Sequence, residues 1–189
     1  MVLPNADTEV RASSEGKLTS PSHHVKGSSL TTSSLAAETF VGNYYQAVNN
    51  LAKLENFYIN SSSRYAIPAD ISINGSVVAT PEDYSKLLSS QGQNVRYEIE
   101  SIDTHVMNPS FQYGAPENIH NQAKVEKDGG RMSIVVTTIG KVQFGKGRDA
   151  PQKMFNETFV LVPNWDAMAR NPPRGLKKWL VMSQNFRAL

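Results

Sequence analysis

The last third of the chain is a succession of β-patterned segments, Ser133 to Ile139, Phe155 to Leu161 and Trp179 to Met182, closing on Asn185-Phe186-Arg187-Ala188-Leu189. Alternation divides them into two sets, because successive strand residues point to opposite faces. One set, Ile134, Val136, Val142, Phe144, Phe155, Phe159, Leu161, Leu180, Met182 and Phe186, is apolar enough to be the core. The other still carries Val135, Ile139, Val160, Trp179 and Val181, mixed with Thr137, Lys141, Asn156, Thr158, Ser183, Asn185 and Arg187. A sheet apolar on both faces must be covered twice, and one helix layer from the same chain covers only one face. The mixture on the second face suits a protein interface better than open solvent.

The helices for the first face lie upstream. Ala37, Phe40, Val41, Tyr44, Val48 and Leu51 fall on one helical stripe, which predicts a long amphipathic helix beginning near Ser34 as N-cap, and Leu54, Phe57 and Tyr58 extend the spacing into a second, short helix. Tyr65-Ala66-Ile67 and Ile71-Ser72-Ile73 read as short strands. Asn74-Gly75 is a hairpin turn back into Val77-Val78-Ala79, since both residues tolerate positive φ. Thr80-Pro81-Glu82-Asp83 then supplies an N-cap, a proline at the first helical position and early acids; Tyr84, Leu87 and Leu88 form the buried face and Gly92 the stop. From Val95 the period becomes two, and the apolar set moves from Val95, Tyr97 and Ile99 to Ile102, Thr104 and Val106, a phase change that marks a bulge in a bent strand. Asn108 to Arg131 and Pro163 to Gly175 read as long loops between antiparallel strands. The expectation is an α+β domain over 35–189, a curved antiparallel sheet packed on three helices, after a polar tail over 1–34 that reads as disordered.

Composition closes off several functions. With no cysteine the chain has neither disulfides nor thiolate chemistry, and sits comfortably with a reducing compartment. No apolar stretch approaches the roughly 20 residues of a membrane span, and Met1-Val2-Leu3-Pro4 does not open a signal peptide, so the sequons at Asn60, Asn74 and Asn156 are read as accidental. A net charge of +2 lacks the field of a dedicated nucleic-acid binder. Cations nevertheless gather in the later loops, at Lys124, Lys127, Arg131, Lys146, Arg148, Lys153, Arg170, Arg174, Lys177 and Lys178. A solvated face is one reading; auxiliary, sequence-nonspecific contact with RNA phosphates is the other. His23-His24, without a third ligand nearby, reads as two solvated histidines. No cofactor is expected: phosphate loop, metal-ligand spacing and Ser/His/Asp arrangement are all missing from the sequence.

Several ordered motifs carry a family resemblance. Phe40-Val41-Gly42-Asn43-Tyr44-Tyr45, Leu54-Glu55-Asn56-Phe57-Tyr58, Ile73-Asn74-Gly75, the run from Val142-Gln143-Phe144 through Arg148-Asp149 into Phe155-Asn156, the strand to Leu161 and Asn185-Phe186-Arg187 resemble the nuclear transport factor 2 family. Within it they are most similar to the fungal small subunits of the heterodimeric mRNA export receptor. The resemblance covers about residues 35 to 189. It implies a cone-shaped fold and a non-catalytic subunit whose open sheet face binds the related domain of a large Mex-type or Tap-type subunit. The interface would comprise Thr137, Ile139, Lys141, Asn156, Thr158, Val160, Val181, Ser183, Asn185 and Arg187. Arg187 matches the family's Phe-Arg position and would reach a partner carboxylate, for which guanidinium geometry is suited; capping the last strand is its other reading. The resemblance also implies nucleoporin contact through the heterodimer, residence in the nucleus and at the pore with shuttling to the cytoplasm, and passage of mRNA-protein particles or pre-ribosomal subunits. It argues against Ran binding, because Asn74 and the Lys146, Arg148 loop replace acids of the Ran-binding member.

Two alternatives stand beside this reading. One is a homodimeric scaffold of the same fold. The other is an isomerase-like or dehydratase-like enzyme with Tyr44, Tyr65, Asp103 and His105 in a cone cavity, where general acid-base work would need a tuned carboxylate or imidazole.

Overall fold

Period-two alternation builds one sheet, and the helical stripe of apolar residues lies across it. A computed structural model describes residues 23–92, 94–108 and 132–189, and side chains from residue 32 onward with residue 108 excepted. Helix α1 spans His23–Asn49 and buries Ala37, Phe40, Val41, Tyr44, Tyr45 and Val48. It starts well ahead of Ser34, which is a mid-helix residue and not the expected N-cap. The sequence has no proline between Pro21 and Pro68, so nothing in the backbone stops the helix earlier. At the other end, Leu51 N donates to Val48 O at 3.0 Å and Ala52 N to Ala47 O at 2.9 Å. This paired closure places Leu51 in the left-handed region at φ 49°. Leu51 is therefore 56% exposed, off the stripe to which its spacing assigned it.

The expected second helix is instead two 3-10 turns, Glu55–Phe57 and Ile59–Ser61, separated by extended Tyr58. Apolar residues at 54, 57, 58 and 59 are buried by either geometry, and the break lets Tyr58 bridge to Val181. Residues 65–67 form no strand. Pro68 removes a ladder donor there, and the Tyr65 hydroxyl donates to Pro163 O at 2.6 Å instead. Strands β1 (Asp70–Ile73) and β2 (Ser76–Val78) form the expected hairpin, with positive φ at both Asn74 and Gly75. Helix α2 (Pro81–Ser90) starts as predicted, Asp83 N donating to Thr80 Oγ1 at 3.1 Å. Tyr84 and Leu88 are buried, whereas Leu87 is 37% exposed.

Four long strands follow: β3 (Val95–Asn108), β4 (Ser133–Phe144), β5 (Gln152–Pro163) and β6 (Trp179–Ala188). The sheet order is β2-β1-β6-β5-β4-β3. The meander is antiparallel as expected, but β1 pairs with β6 in parallel, so the sheet is mixed. Among the described residues the fold is thus α+β with two α-helices, the expected second helix being replaced by the 3-10 turns. The predicted bend is present: Ile99 pairs with Gly140 and Ser101 with Ile139, leaving Glu100 as the extra residue. Gly140 is required there, because a Cβ would lie 2.2 Å from Glu98 O and 2.8 Å from the Phe155 ring.

The core between helix and sheet holds a cluster of aromatic rings. Phe159 meets Phe40 and Tyr44 at centroid distances of 5.3 and 5.0 Å, and Phe155 stacks on Phe186 at 5.2 Å. Phe144, expected inside, is 37% exposed at the end of β4. Among the described residues no helix is long and apolar enough to cross a membrane.

Candidate functional site

Opposite the helices, the strand register aligns three rows of side chains, since directly paired residues share a face. The middle row crosses all six strands: Asp103, Thr137, Thr158, Asn185, Ser72 and Val77. On one side lie His105, Val135, Val160, Ser183 and Asp70, and on the other Ser101, Ile139, Asn156 and Arg187. Nine of the ten residues expected on this face are on it: Thr137, Ile139, Lys141, Asn156, Thr158, Val160, Ser183, Asn185 and Arg187. The tenth, Val181, is not. Val160 pairs with Ser183 but Leu161 with Val181, so Met182 is a bulge that turns Val181 to the side of buried Leu161, where it is fully buried. The same bulge leaves Met182, expected in the core, only partly buried.

The surface mixes apolar and hydrogen-bonding groups. Ile139 is 39% and Val77 80% exposed, among threonines whose hydroxyls, at 137 and 158, lie 3.4 Å apart. Lys141 is held by an ion pair with Glu100 of the bulge, which raises its pKa through the hydrogen bond and the charge of that carboxylate. Arg187 is exposed, and its Nε donates to Asn185 Oδ1 at 3.3 Å. Among the described residues no carboxylate pairs with it. Ser72, Val77, Ser101, Asp103 and His105 were not assigned to this face from the sequence. For β3 the signal was the phase change itself, which fixes the parity beyond Glu100; for Ser72 and Val77 no local signal exists, because only the β1–β6 pairing brings the hairpin beside the face.

The acid-base constellation proposed from the sequence is not assembled. Asp103 and His105 are exposed on the open face, joined by a 3.0 Å contact between Asp103 Oδ2 and His105 Nε2. Tyr65 is engaged by Pro163, and Tyr44 is buried on the helix side. What occupies the interior is a different group. Glu157, 1% exposed, accepts from the Tyr45 hydroxyl and from Gln184 Nε2 at 2.6 Å. Gln184 Oε1 accepts from the Tyr58 hydroxyl at 2.5 Å, and Tyr58 and Tyr44 hydroxyls lie 2.9 Å apart. Tyr45 also reaches Thr138 Oγ1 at 3.1 Å, and Thr138 Oγ1 donates to Glu157 O at 3.3 Å. Burial pushes the Glu157 carboxyl up to about 7, with the hydrogen bonds from Tyr45 and Gln184 pulling the other way. Burial likewise raises Tyr44, Tyr45 and Tyr58 well above the ordinary phenol value. Both carboxylate oxygens are engaged by protein donors, so the group is a mutually hydrogen-bonded polar cluster within the core. The sequence carried a signal for it: Glu157 shares parity with Phe155 and Phe159.

Among the described residues the basic loops do not form one patch. Lys146 and Arg148 follow β4, whereas Arg170 and Arg174 follow β5, at opposite ends of a twelve-residue strand about 36 Å long. Lys124, Lys127 and Arg131 lie outside the described residues, as do the side chains of His23 and His24. Among the described residues no group of three or more histidines and acids could hold a metal.

Comparisons with known proteins agree with this architecture. No curated protein sequence matches the chain. Among solved structures it is similar to a chain of Mex67:Mtr2 with a bound Sac3N peptide, with a TM-score of 0.73 and 32% identity, covering 84% of this chain and 99% of that one. It is similar to the structure of Mtr2, with a TM-score of 0.70 and 30% identity over 84% and 99% of the two chains. A chain of the Chaetomium thermophilum Mex67 NTF2-like domain complexed with Mtr2 is also similar, with a TM-score of 0.72 and 34% identity over the same shares, 84% and 99%. Residues 36–187 match the model of the nuclear transport factor 2 (NTF2) domain, and the chain belongs to that family.

Proposed function

We propose that this chain is the small, non-catalytic subunit of a heterodimeric mRNA export receptor, and that its open sheet face binds the NTF2-like domain of a Mex67-type large subunit. The observation that carries the reading is Arg187, exposed at the edge of a mixed apolar and polar face and paired with no carboxylate among the described residues. Similarity to Mtr2 over nearly its whole length supports it. The interface comprises Thr137, Ile139, Lys141, Asn156, Thr158, Val160, Ser183, Asn185 and Arg187. Ser72, Val77, Asp103 and His105 extend it across the outer strands. A face of this kind, buried to the standard size of about 800 Å² per partner, supports a stable pair. Through the heterodimer the chain contacts nucleoporins and shuttles between nucleus and cytoplasm with mRNA-protein particles or pre-ribosomal subunits. The separated basic loops add RNA contacts indifferent to sequence.

Co-purification with the large subunit's NTF2-like domain tests this. Arg187→Glu places a negative charge against the partner's acid and is expected to abolish recovery of the complex. Undiminished recovery would remove the open face from the interface.

A further inference from the structure

The hairpin turn between β1 and β2 touches the last strand at one place. Asn74 N donates to Phe186 O at 2.8 Å, and Ala188 N donates to Asn74 Oδ1 at 2.8 Å. A single residue thus clamps the backbone on both sides of Arg187. The next residue, Gly75, has φ 86°, and a Cβ built on it would lie 3.0 Å from one terminal guanidinium nitrogen of Arg187 and 3.8 Å from Cζ. The guanidinium therefore lies on the bare backbone of the turn. On its other side Nε is held by Asn185 Oδ1.

Hairpin chemistry alone accounts for positive φ at 74 and 75, and an Asn or Asp would satisfy it at either position. It does not account for a turn that bonds to Phe186 and Ala188 while leaving the Arg187 side chain a seat. An exposed arginine loses considerable side-chain freedom when it forms a bidentate pair with an acid, and a seat that holds it beforehand reduces that cost. We propose that the Asn74-Gly75 turn is the positioning element of the interface: Asn74 fixes the backbone on both sides of Arg187, and Gly75, by lacking a side chain, seats the guanidinium in the direction of a partner carboxylate. The proposal rests on the partner-face reading above.

The test is a double-mutant cycle between Gly75→Asn and Arg187→Ala, with affinity for the purified Mex67-type NTF2-like domain as the readout and thermal unfolding of the free subunit as control. Asparagine tolerates positive φ, so the turn persists, while its side chain displaces only the far end of Arg187. Gly75→Asn is expected to weaken binding at least about tenfold with little change in unfolding temperature, and to have no further effect once Arg187 is alanine. Should the asparagine variant be destabilised, Asn74→Gly keeps the turn, removes the Ala188 acceptor, and is expected to show the same dependence on Arg187. Wild-type affinity in the Gly75 variant, or effects that simply add to those of Arg187→Ala, would overturn the positioning role alone. If Arg187→Ala itself binds like wild type, the partner face fails and this proposal with it.

Discussion

Replacing Glu157 with glutamine should change how stability depends on pH. The carboxyl is almost completely buried and its pKa is raised from 4.5 to about 7, so the folded chain holds the proton more tightly than the unfolded chain. Such a group contributes most to stability where both states are protonated, below the unfolded value, and the contribution is lost as pH rises toward 7. A shift of this size at 1.36 kcal/mol per unit corresponds to about 3 kcal/mol in full, of which about 2.5 kcal/mol falls between pH 5 and pH 8. The neutral form is accommodated by the bonds already present: a protonated Oε2 donates to Tyr45, whose hydroxyl then donates to Thr138 Oγ1, which donates to Glu157 O. Urea unfolding of wild type and Glu157→Gln across that range isolates the effect, since other titrating groups cancel in the difference. The second amide N–H of glutamine adds a constant penalty of about 1–3 kcal/mol if it finds no acceptor, so the readout is the slope and not the offset. The variant should gain about 2.5 kcal/mol on wild type between pH 5 and pH 8. A difference that stays flat, or one that moves in favour of wild type as pH rises, would refute the argument.

Gly140→Ala should destabilise the chain by about 2–4 kcal/mol in denaturant unfolding, because the new methyl meets Glu98 O and the Phe155 ring and neither backbone nor packed ring can withdraw. Leu51→Gly removes a side chain from the left-handed end of α1 and should raise stability by about 0.5–1 kcal/mol, read as a higher urea midpoint at unchanged slope. Val77→Asp, at an 80% exposed position of the middle row, should leave unfolding within about 0.5 kcal/mol of wild type while weakening binding to the large subunit's NTF2-like domain, measured by titration calorimetry.

What could be read in advance was local. The Asn74-Gly75 turn, the Thr80-Pro81 helix start and the bulge at Glu100 each follow from a few adjacent residues with few alternatives, and each is in place. The parallel pairing of Ile71 with Gln184 joins segments far apart in sequence, and neither advertises the other. The true face of Val181 is hidden in the sequence because β6 is apolar on both parities around Trp179 to Met182, so a one-residue bulge leaves no trace in the pattern. The two 3-10 turns read as a helix in the sequence because residues 54, 57 and 58 satisfy either spacing. The open face was legible as a surplus of apolar residues, whereas its full breadth depended on strand order.

That order has a consequence for how the molecule is made. β6 is the last strand in the sequence yet lies in the interior of the sheet, flanked by β1 and β5. Without it, the hairpin and the three-stranded meander would each present an unsatisfied edge, and those two edges are complementary to the same segment. A chain deprived of β6 would therefore be a split sheet with one open slot, which an extended segment can fill. A fragment ending before Trp179 should therefore be rescued by a separate peptide of residues 179–189, the slot selecting its missing strand in trans.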